Sequence, residues 1–332
     1  MKLNKTILIT GCAGLIGSNF SRYLLEKGYF VIGIDNFFGG YEDFLPSSDN
    51  FVFYKKNLES DDIKNIFDLH NIDCVFHFAA YAAEGLSPFI RKFNYVNNVI
   101  SSVSLINECV ERDIKIVFTS SMAVYGNQLP PFTEDMTPTP IDPYGIAKFA
   151  IEQDLKCANE QFGLKYNIIR PHNVLGVYQN IWDKYRNVIG IFIRKILNNE
   201  DIVIYGDGEQ TRAFSNIKYY MEPFEKLITS FDNEIYNIGA DKYFTINEVA
   251  NIVKSVATKY GYETNITYGE FRHEVKHAYC DHQKSINQLN FSDGTNLEEL
   301  VDEMFCWAIK QPFRDIKKMD YEINKNIYSY WK

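Results

Sequence analysis

The chain has 332 residues, with 34 Lys+Arg against 43 Asp+Glu for a formal net charge of −9, and is 46% hydrophobic and 23% charged. This balance excludes a disordered, collagen-like or coiled-coil chain and a stapled mini-protein; at about 100–200 residues per domain it allows one large or two medium units, each with its own core. The acidic excess speaks against nucleic acid as a partner, because such proteins carry a basic face that displaces counterions.

The first apolar run, Ile7-Leu8-Ile9-Thr10, is too short for a signal-peptide core and leads straight into glycines. No apolar run approaches the roughly 20 residues of a membrane helix, so a cytoplasmic protein with no membrane partner is expected. The six cysteines, Cys12, Cys74, Cys109, Cys157, Cys280 and Cys306, are scattered without a C-x-x-C pair and are expected to be free thiols. Short apolar runs at Ile7–Thr10, Val31–Ile34, Asp73–Phe78, Lys115–Ser120 and Tyr166–Arg170 read as strands buried on both faces. Helical periods lie between them, at Leu15–Lys27, Asp61–His70, Val96–Arg112 and Tyr144–Phe162. The alternation predicts an α/β fold, a Rossmann-type doubly wound parallel sheet with right-handed crossovers. From about Pro171 the pattern becomes mixed: a helix near Asn187–Asn198, a strand Ile202–Tyr205, a turn Gly206-Asp207-Gly208 and a helix near Ile246–Tyr260. A cofactor domain over residues 1–172 and a smaller mixed α/β C-terminal substrate domain over 173–332 are expected, with parts of 213–245 packing back on the first. With no linker between them, a ligand site at their interface follows.

After the first strand comes Gly11-Cys12-Ala13-Gly14-Leu15-Ile16-Gly17, opening directly into a helix. Glycines let the backbone turn tightly and approach a pyrophosphate, whose charge the helix N-terminus then stabilises. The second strand ends at Asp35-Asn36, placed to accept hydrogen bonds from the adenosine ribose hydroxyls. A 2′-phosphate there would meet a carboxylate, so NAD rather than NADP is the expected cofactor.

Tyr144-Gly145-Ile146-Ala147-Lys148 opens a helix after Asp142-Pro143, and positions i and i+4 share one face. A phenol of pKa about 10 is a poor base at neutral pH, and lowering it by ~3 units takes roughly 4 kcal/mol of differential stabilisation. Lys148 and a positively charged nicotinamide ring can supply it. Upstream, the strand end Thr119-Ser120-Ser121-Met122-Ala123-Val124-Tyr125-Gly126 offers the Ser121 hydroxyl to a substrate oxygen beside Tyr144.

Taken together, the glycine loop, Ser-Ser-x-x-Val-Tyr-Gly and Tyr-x-x-x-Lys resemble an extended short-chain dehydrogenase/reductase of the nucleotide-sugar epimerase/dehydratase type. The resemblance implies Ser121, Tyr144 and Lys148 as the catalytic triad. It implies Asn57-Leu58 beside the adenine, with Asn57 in place of the family's Asp, the strand end His77-Phe78-Ala79-Ala80 along the NAD ribose, and Asn98 steadying the active-site helix. His77 itself reads as structural. In the second half, Arg170-Pro171-His172-Asn173-Val174-Leu175-Gly176 resembles the family's Arg-Pro-x-Asn-x-Tyr-Gly turn, which brings Asn173 to the sugar or its diphosphate. Asn187-Val188 matches the segment whose backbone grips the diphosphate, while Arg212, in Gly206-Asp207-Gly208-Glu209-Gln210-Thr211-Arg212-Ala213-Phe214, and the distal Arg272 would pair with phosphate. Ala278, three before Asp281, falls where related epimerases hold a gatekeeper, and a small residue there would admit a bulky C2 substituent.

The resembling 4,6-dehydratases carry Thr-Asp-Glu where this chain has Ser121-Met122-Ala123, with Met122 against the substrate; neither carboxyl group needed to eliminate water is present. The Glu of related decarboxylases is missing at Ala123 as well. What remains is chemistry needing one base and hydride transfer, foremost 4-epimerisation of a nucleotide-diphosphate sugar through a transient 4-keto sugar. The alternative is a C4 dehydrogenase or 4-keto reductase with net NAD(H) turnover: the lysine that resembling epimerases place after Ala79-Ala80 is here Ala82, and Glu84 would instead touch a sugar hydroxyl. A non-enzymatic NAD or nucleotide-sugar sensor would carry a degenerate triad. His273-Glu274-Val275-Lys276-His277 spells a zinc-protease pattern but lacks helical apolar periodicity and a third ligand at the right spacing, so no metal is expected. The helices Val96–Arg112 and Tyr144–Phe162 would form a four-helix homodimer interface, as the resemblance implies.

Overall fold

Thr10, Asp35, His77 and Thr119 end four neighbouring parallel strands on one rim of a sheet, and everything that reaches the site is arranged around that rim. The computed structural model describes residues 5–271, 275–316, 318–328 and 331. The sheet has seven parallel strands in the order β11-β6-β5-β4-β1-β2-β3, with β1 (Thr6–Thr10), β2 (Phe30–Asp35), β3 (Phe51–Lys55), β4 (Cys74–His77), β5 (Lys115–Thr119), β6 (Tyr166–Pro171) and, from much later in the chain, β11 (Glu234–Ile238). The chain lays down β1, β2 and β3 in one direction and then returns to place β4 on the other side of β1. That reversal opens a crevice beyond the strand ends where ligands of doubly wound sheets bind.

Two strands of this sheet are not expected from the sequence. The edge strand β3 carries the apolar run Phe51–Tyr54 but is only partly buried, and β11 pairs with β6 from Glu234↔Asn167 to Ile238↔Pro171 across some 60 residues of intervening chain. Helices α1 (Leu15–Glu26), α2 (Lys64–Leu69), α4 (Ser101–Glu111) and α5 (Pro143–Phe162) cover the faces. The start of α2 lies later than Asp61 because the Asp61 and Asp62 carboxylates accept the amides of Asn57 and Lys64 in a preceding turn. In contrast, the helical run expected from Val96 begins earlier, as α3 (Arg91–Tyr95), and reaches α4 through a π-helical turn at Val96–Ile100. Its start is capped from the far end of the chain: Glu322 accepts the Lys92 and Phe93 amides at 2.7 and 2.8 Å.

One face of the sheet packs Leu8, Ile32, Val75, Ile116 and Phe118 against Leu105, Ile151 and Leu155. Its other face packs Ile7, Ile9, Phe76 and Val117 against Phe20 and against Tyr220, Phe224 and Phe291, which belong to the second half of the sequence. These come from and around α7 (Met221–Leu227) and α9 (Gln283–Leu289). A separate core joins α6 (Val188–Leu197), α8 (Ile246–Lys259) and α10 (Leu297–Ile309) through Ile189, Phe192, Val249, Val253, Leu300 and Phe305. Small pairings finish this region: β7 (Val174–Leu175) with β10 (Ser215–Asn216), β8 (Ile202–Tyr205) with β13 (Ile266–Gly269), and β12 (Tyr243–Thr245), β9 (Thr211–Ala213) and β14 (His277–Ala278) in one sheet. The tail returns to the first half, where Ile327 and Trp331 pack on Tyr81, Leu86 and Ile90. All six cysteines are free thiols, and among the described residues no helix is long and apolar enough to cross a membrane.

Candidate active site

The rim opens on a cavity of about 760 Å³ walled by both halves of the chain. That volume lies within the usual range for small-molecule and cofactor sites. At its floor β1 turns through Gly11, with φ +71°, and α1 begins after Gly14 with no side-chain cap on its N-terminus. A Cβ on Gly17 would lie 2.2 Å from the Gly11 carbonyl oxygen, so only glycine lets the helix start this close to the loop. The uncapped amides and the helix dipole at this end suit a phosphate. Gly11, Gly14, Leu15, Ile16 and Gly17 all line the cavity.

Asp35 closes one side. Its carboxylate accepts the Ala13 amide at 3.0 Å and the Phe37 amide at 2.7 Å. Burial pushes this carboxyl up, against the pull of those amides and of the Arg186 charge. Asn36 and Leu58 also line the cavity, whereas Asn57 stands behind Asn36, accepting its Nδ2 at 2.5 Å beside a shallower neighbouring pocket.

Beyond β4 the strand end Phe78-Ala79-Ala80 passes along the wall. His77, just inside it, is locked in a directed chain: the Ala79 amide donates to Thr10 Oγ1, Thr10 faces His77 Nδ1 at 2.7 Å, His77 Nε2 faces Ser102 Oγ at 2.8 Å, and Ser102 donates to the Asn98 carbonyl. Burial holds its pKa down at about 3, so it is a neutral structural imidazole. Asn98 is not on the cavity wall. Its side chain is spent on both backbone groups of Tyr81 and on Asn94, which in turn donates to the Pro143 carbonyl at the head of α5. The next row of the same helical run, Asn97 and Ser101, faces the cavity instead.

The head of α5 is tightly specified. Asp142 caps it by accepting the Gly145 amide at 3.0 Å, Pro143 occupies the first turn, and Ser87 Oγ accepts the Tyr144 amide at 3.2 Å. Tyr144 and Lys148 thereby project from one face into the cavity, with the Lys148 Nζ 5.9 Å from the Tyr144 ring centroid and donating to the Thr119 carbonyl at 2.7 Å. Burial pushes the Tyr144 phenol up, while a polar contact with Ser121 pulls the other way. Burial also brings Lys148 down to about 7, with Glu152 one turn further along α5 opposing that shift. Ser121 accepts the Ala123 amide at 3.1 Å, which starts a 3-10 turn at Met122–Tyr125.

From the second half, Asn173, Asn187 and Arg212 reach the cavity, and Glu84 does so from the first. Asn173, with φ 40°, donates to the Ala213 carbonyl at 2.9 Å, and Arg212 Nη1 donates to the Thr211 and Lys276 carbonyls. Two expected substrate contacts lie elsewhere. Met122 turns into the cluster of Val124, Tyr125 and Phe132, because the capped 3-10 turn rotates it off the rim. Ala278, paired with Arg212 in β14, is buried in the same cluster, and Val275 is the neighbouring residue that faces the cavity. Val188 begins α6 and packs its side chain on that region's core, while the contact expected of it is through the backbone. Arg272, with His273 and Glu274 of the zinc-like pattern, lies outside the described residues. Conversely, Tyr185, Arg186, Gln179 and Asn180 of the loop before α6, and Tyr328 and Trp331 of the tail, line the cavity without having been anticipated. The loop has no periodicity to mark it, and the tail is brought there only by packing.

Comparison with known proteins agrees with this geometry. A model of the NAD dependent epimerase/dehydratase family matches residues 7–239. A putative UDP-glucose 4-epimerase of Methanocaldococcus jannaschii is 32% identical over 91% of this chain and 97% of its own. The solved structure of the Thermotoga maritima UDP-glucose 4-epimerase with UDP-glucose superposes with a TM-score of 0.85 at 31% identity, covering 92% of this chain and 99% of that one. A UDP-N-acetylglucosamine 4-epimerase from Methanobrevibacter ruminantium, in complex with UDP-N-acetylmuramic acid, matches with a TM-score of 0.85 at 32% identity, covering 92% and 98%.

Proposed function

The chain belongs to the NAD dependent epimerase/dehydratase family, and from that premise we propose that it is an NAD-dependent 4-epimerase of nucleotide-diphosphate sugars, with the UDP-sugars of its relatives as the first candidates. The observation that carries the reading is the convergence of Ser121, Tyr144 and Lys148 on one cavity whose adjoining turn, Met122-Ala123, holds no carboxyl group. NAD fits the residues present: a glycine loop without side chains in the way, an uncapped helix N-terminus for its diphosphate, and Asp35 for its adenosine ribose. When bound, it supplies the acceptor and later the donor of the hydride at C4.

The protein's own part is proton transfer and orientation. Tyr144 takes the proton of the sugar 4-hydroxyl as a phenolate and returns it after the 4-keto sugar has turned over, so no net oxidation occurs. Ser121 holds the C4 oxygen, and the Lys148 ammonium stabilises the phenolate through its charge. Arg212 and Asn173, from residues 173–332, hold the substrate diphosphate and keep the nucleotide fixed while the sugar rotates. The enzyme is read as a cytoplasmic homodimer built on α4 and α5, a reading supported by the exposed Ile100, in the π-helical turn that leads into α4, and Ile146 on α5.

Incubation with UDP-glucose, UDP-N-acetylglucosamine and UDP-glucuronate, followed by proton NMR, tests the assignment. Inversion at C4 without growth of the reduced-nicotinamide absorbance is expected. Stoichiometric accumulation of reduced nicotinamide without inversion would overturn it in favour of net oxidation.

A further inference from the structure

We propose that Arg186 binds the diphosphate of the dinucleotide cofactor that the glycine loop receives. This rests on the site being an NAD site. Among the described residues, the cations on the cavity wall are Lys148, Arg186 and Arg212. Lys148 is committed to Tyr144 and the Thr119 carbonyl, and Arg212 lies in β9 on the substrate side. Arg186 contacts Gly39, and the adjoining Gly40 packs on Ala13 of the glycine loop.

Its position is built rather than incidental. Asp183, whose side chain is wholly buried, accepts Arg186 Nε at 3.0 Å and is itself held by the Tyr81 hydroxyl at 3.1 Å and the Tyr185 amide at 2.9 Å. The guanidinium lies 5.0 Å from the Tyr81 ring centroid, and Nη2 donates to the Gly39 carbonyl at 3.2 Å. Gly39 and Gly40 are the layer between this cation and the phosphate loop: a Cβ on Gly40 would stand 2.0 Å from the Ala13 carbonyl oxygen, and one on Gly39 only 3.1 Å from Nη2. A guanidinium offers five N–H groups. Among the described residues Nη1 makes no hydrogen bond, and the Arg186 charge is felt both at Asp35, on the adenosine side, and at Tyr144, on the nicotinamide side. Arg186, Gly39 and Gly40 line the same cavity as Gly11 and Gly14, so the open edge of the guanidinium shares that cavity with the phosphate loop. Pre-orientation by Asp183 and Tyr81 makes the remaining edge suited to a fork-like contact with phosphate oxygens.

The test is calorimetric titration of nucleotide-stripped full-length protein with NAD+, NADH, AMP and UDP, for the wild type and for Arg186→Met and Arg186→Lys. Methionine keeps an unbranched stem over Tyr81 and removes the charge. Arg186→Met is expected to weaken NAD+ and NADH by about tenfold or more, to change AMP and UDP by less than about twofold, and Arg186→Lys to recover part of the loss. NAD affinity unchanged in a folded Arg186→Met protein overturns the inference alone. Loss of UDP rather than NAD affinity also overturns it, and assigns the guanidinium to the substrate diphosphate. No NAD binding by the wild type would overturn the functional reading itself, and this one with it.

Discussion

Arg170 and Glu152 meet side by side with both side chains sealed from water, Nη2 to Oε2 at 2.6 Å and Nε to Oε1 at 2.9 Å. Ser120, the neighbour of Ser121, donates to the same carboxylate at 2.5 Å, and Arg170 Nη1 continues to the Tyr125 hydroxyl and thence to Asn237 of β11. The pair thus joins α5 one turn past Lys148 to three strands directly beneath the site. Glu152→Gln or Arg170→Met leaves an unmatched charge inside the protein, and each should lower the unfolding free energy by about 3–5 kcal/mol in urea titration. A double Glu152→Leu/Arg170→Met protein, which buries no charge, should lose less than the sum of the two.

Tyr144→Phe should reduce turnover about 10²–10⁴-fold while leaving NAD affinity near that of the wild type, since the change removes a proton acceptor and little volume. Near-normal turnover would remove Tyr144 from its role. Because burial raises this phenol, the protein without cofactor should show no tyrosinate absorbance from Tyr144 at neutral pH. Lys148→Met should move the alkaline rise of kcat/KM to higher pH, as the phenolate loses its nearest cation.

The pH dependence of stability follows from two imidazoles. Burial lowers His77 to about 3, and burial with the charge of His282, 2.8 Å away, lowers His172 to about 3. An unfolded chain protonates both below about pH 6.5 while the folded protein does not, so stability is full above that value and falls as pH drops towards 3. Each should contribute a slope approaching ~1.4 kcal/mol per pH unit in that window. Denaturation of His77→Asn and His172→Asn proteins at pH 7, 5 and 4 should show correspondingly shallower acid loss. An unchanged slope would mean that these histidines are protonated in place.

Light scattering should give twice the chain mass, and Ile100→Glu with Ile146→Glu should reduce it to the chain mass. A monomeric wild type would remove the proposed interface.

What the sequence made legible was local. The glycine loop, Asp35 at its strand end and the four-residue step from Tyr144 to Lys148 are each written within a few positions, so spacing alone brought them to one rim. Features closed by distant chain were not legible in that way. Glu322 caps a helix 230 residues earlier, and Arg186 acquires its position from Asp183, Tyr81 and Gly39 together. Met122 and Ala278 show the converse: motif alignment brought each to the substrate, but a single capped turn and one strand register turn them into a core.

The seventh strand sets an order on biosynthesis. With β11 as its outer neighbour, β6 remains an unpaired edge until residue 238 has left the ribosome, and the Phe224 and Tyr236 side of that face stays open for as long. The nascent first half of the chain therefore carries an exposed parallel edge and a wet apolar face through most of its synthesis. The cavity wall arrives on both sides of that closure, since Asn173, Asn187 and Arg212 precede β11 and Val275, Tyr328 and Trp331 follow it, so the sheet is complete before the cavity is.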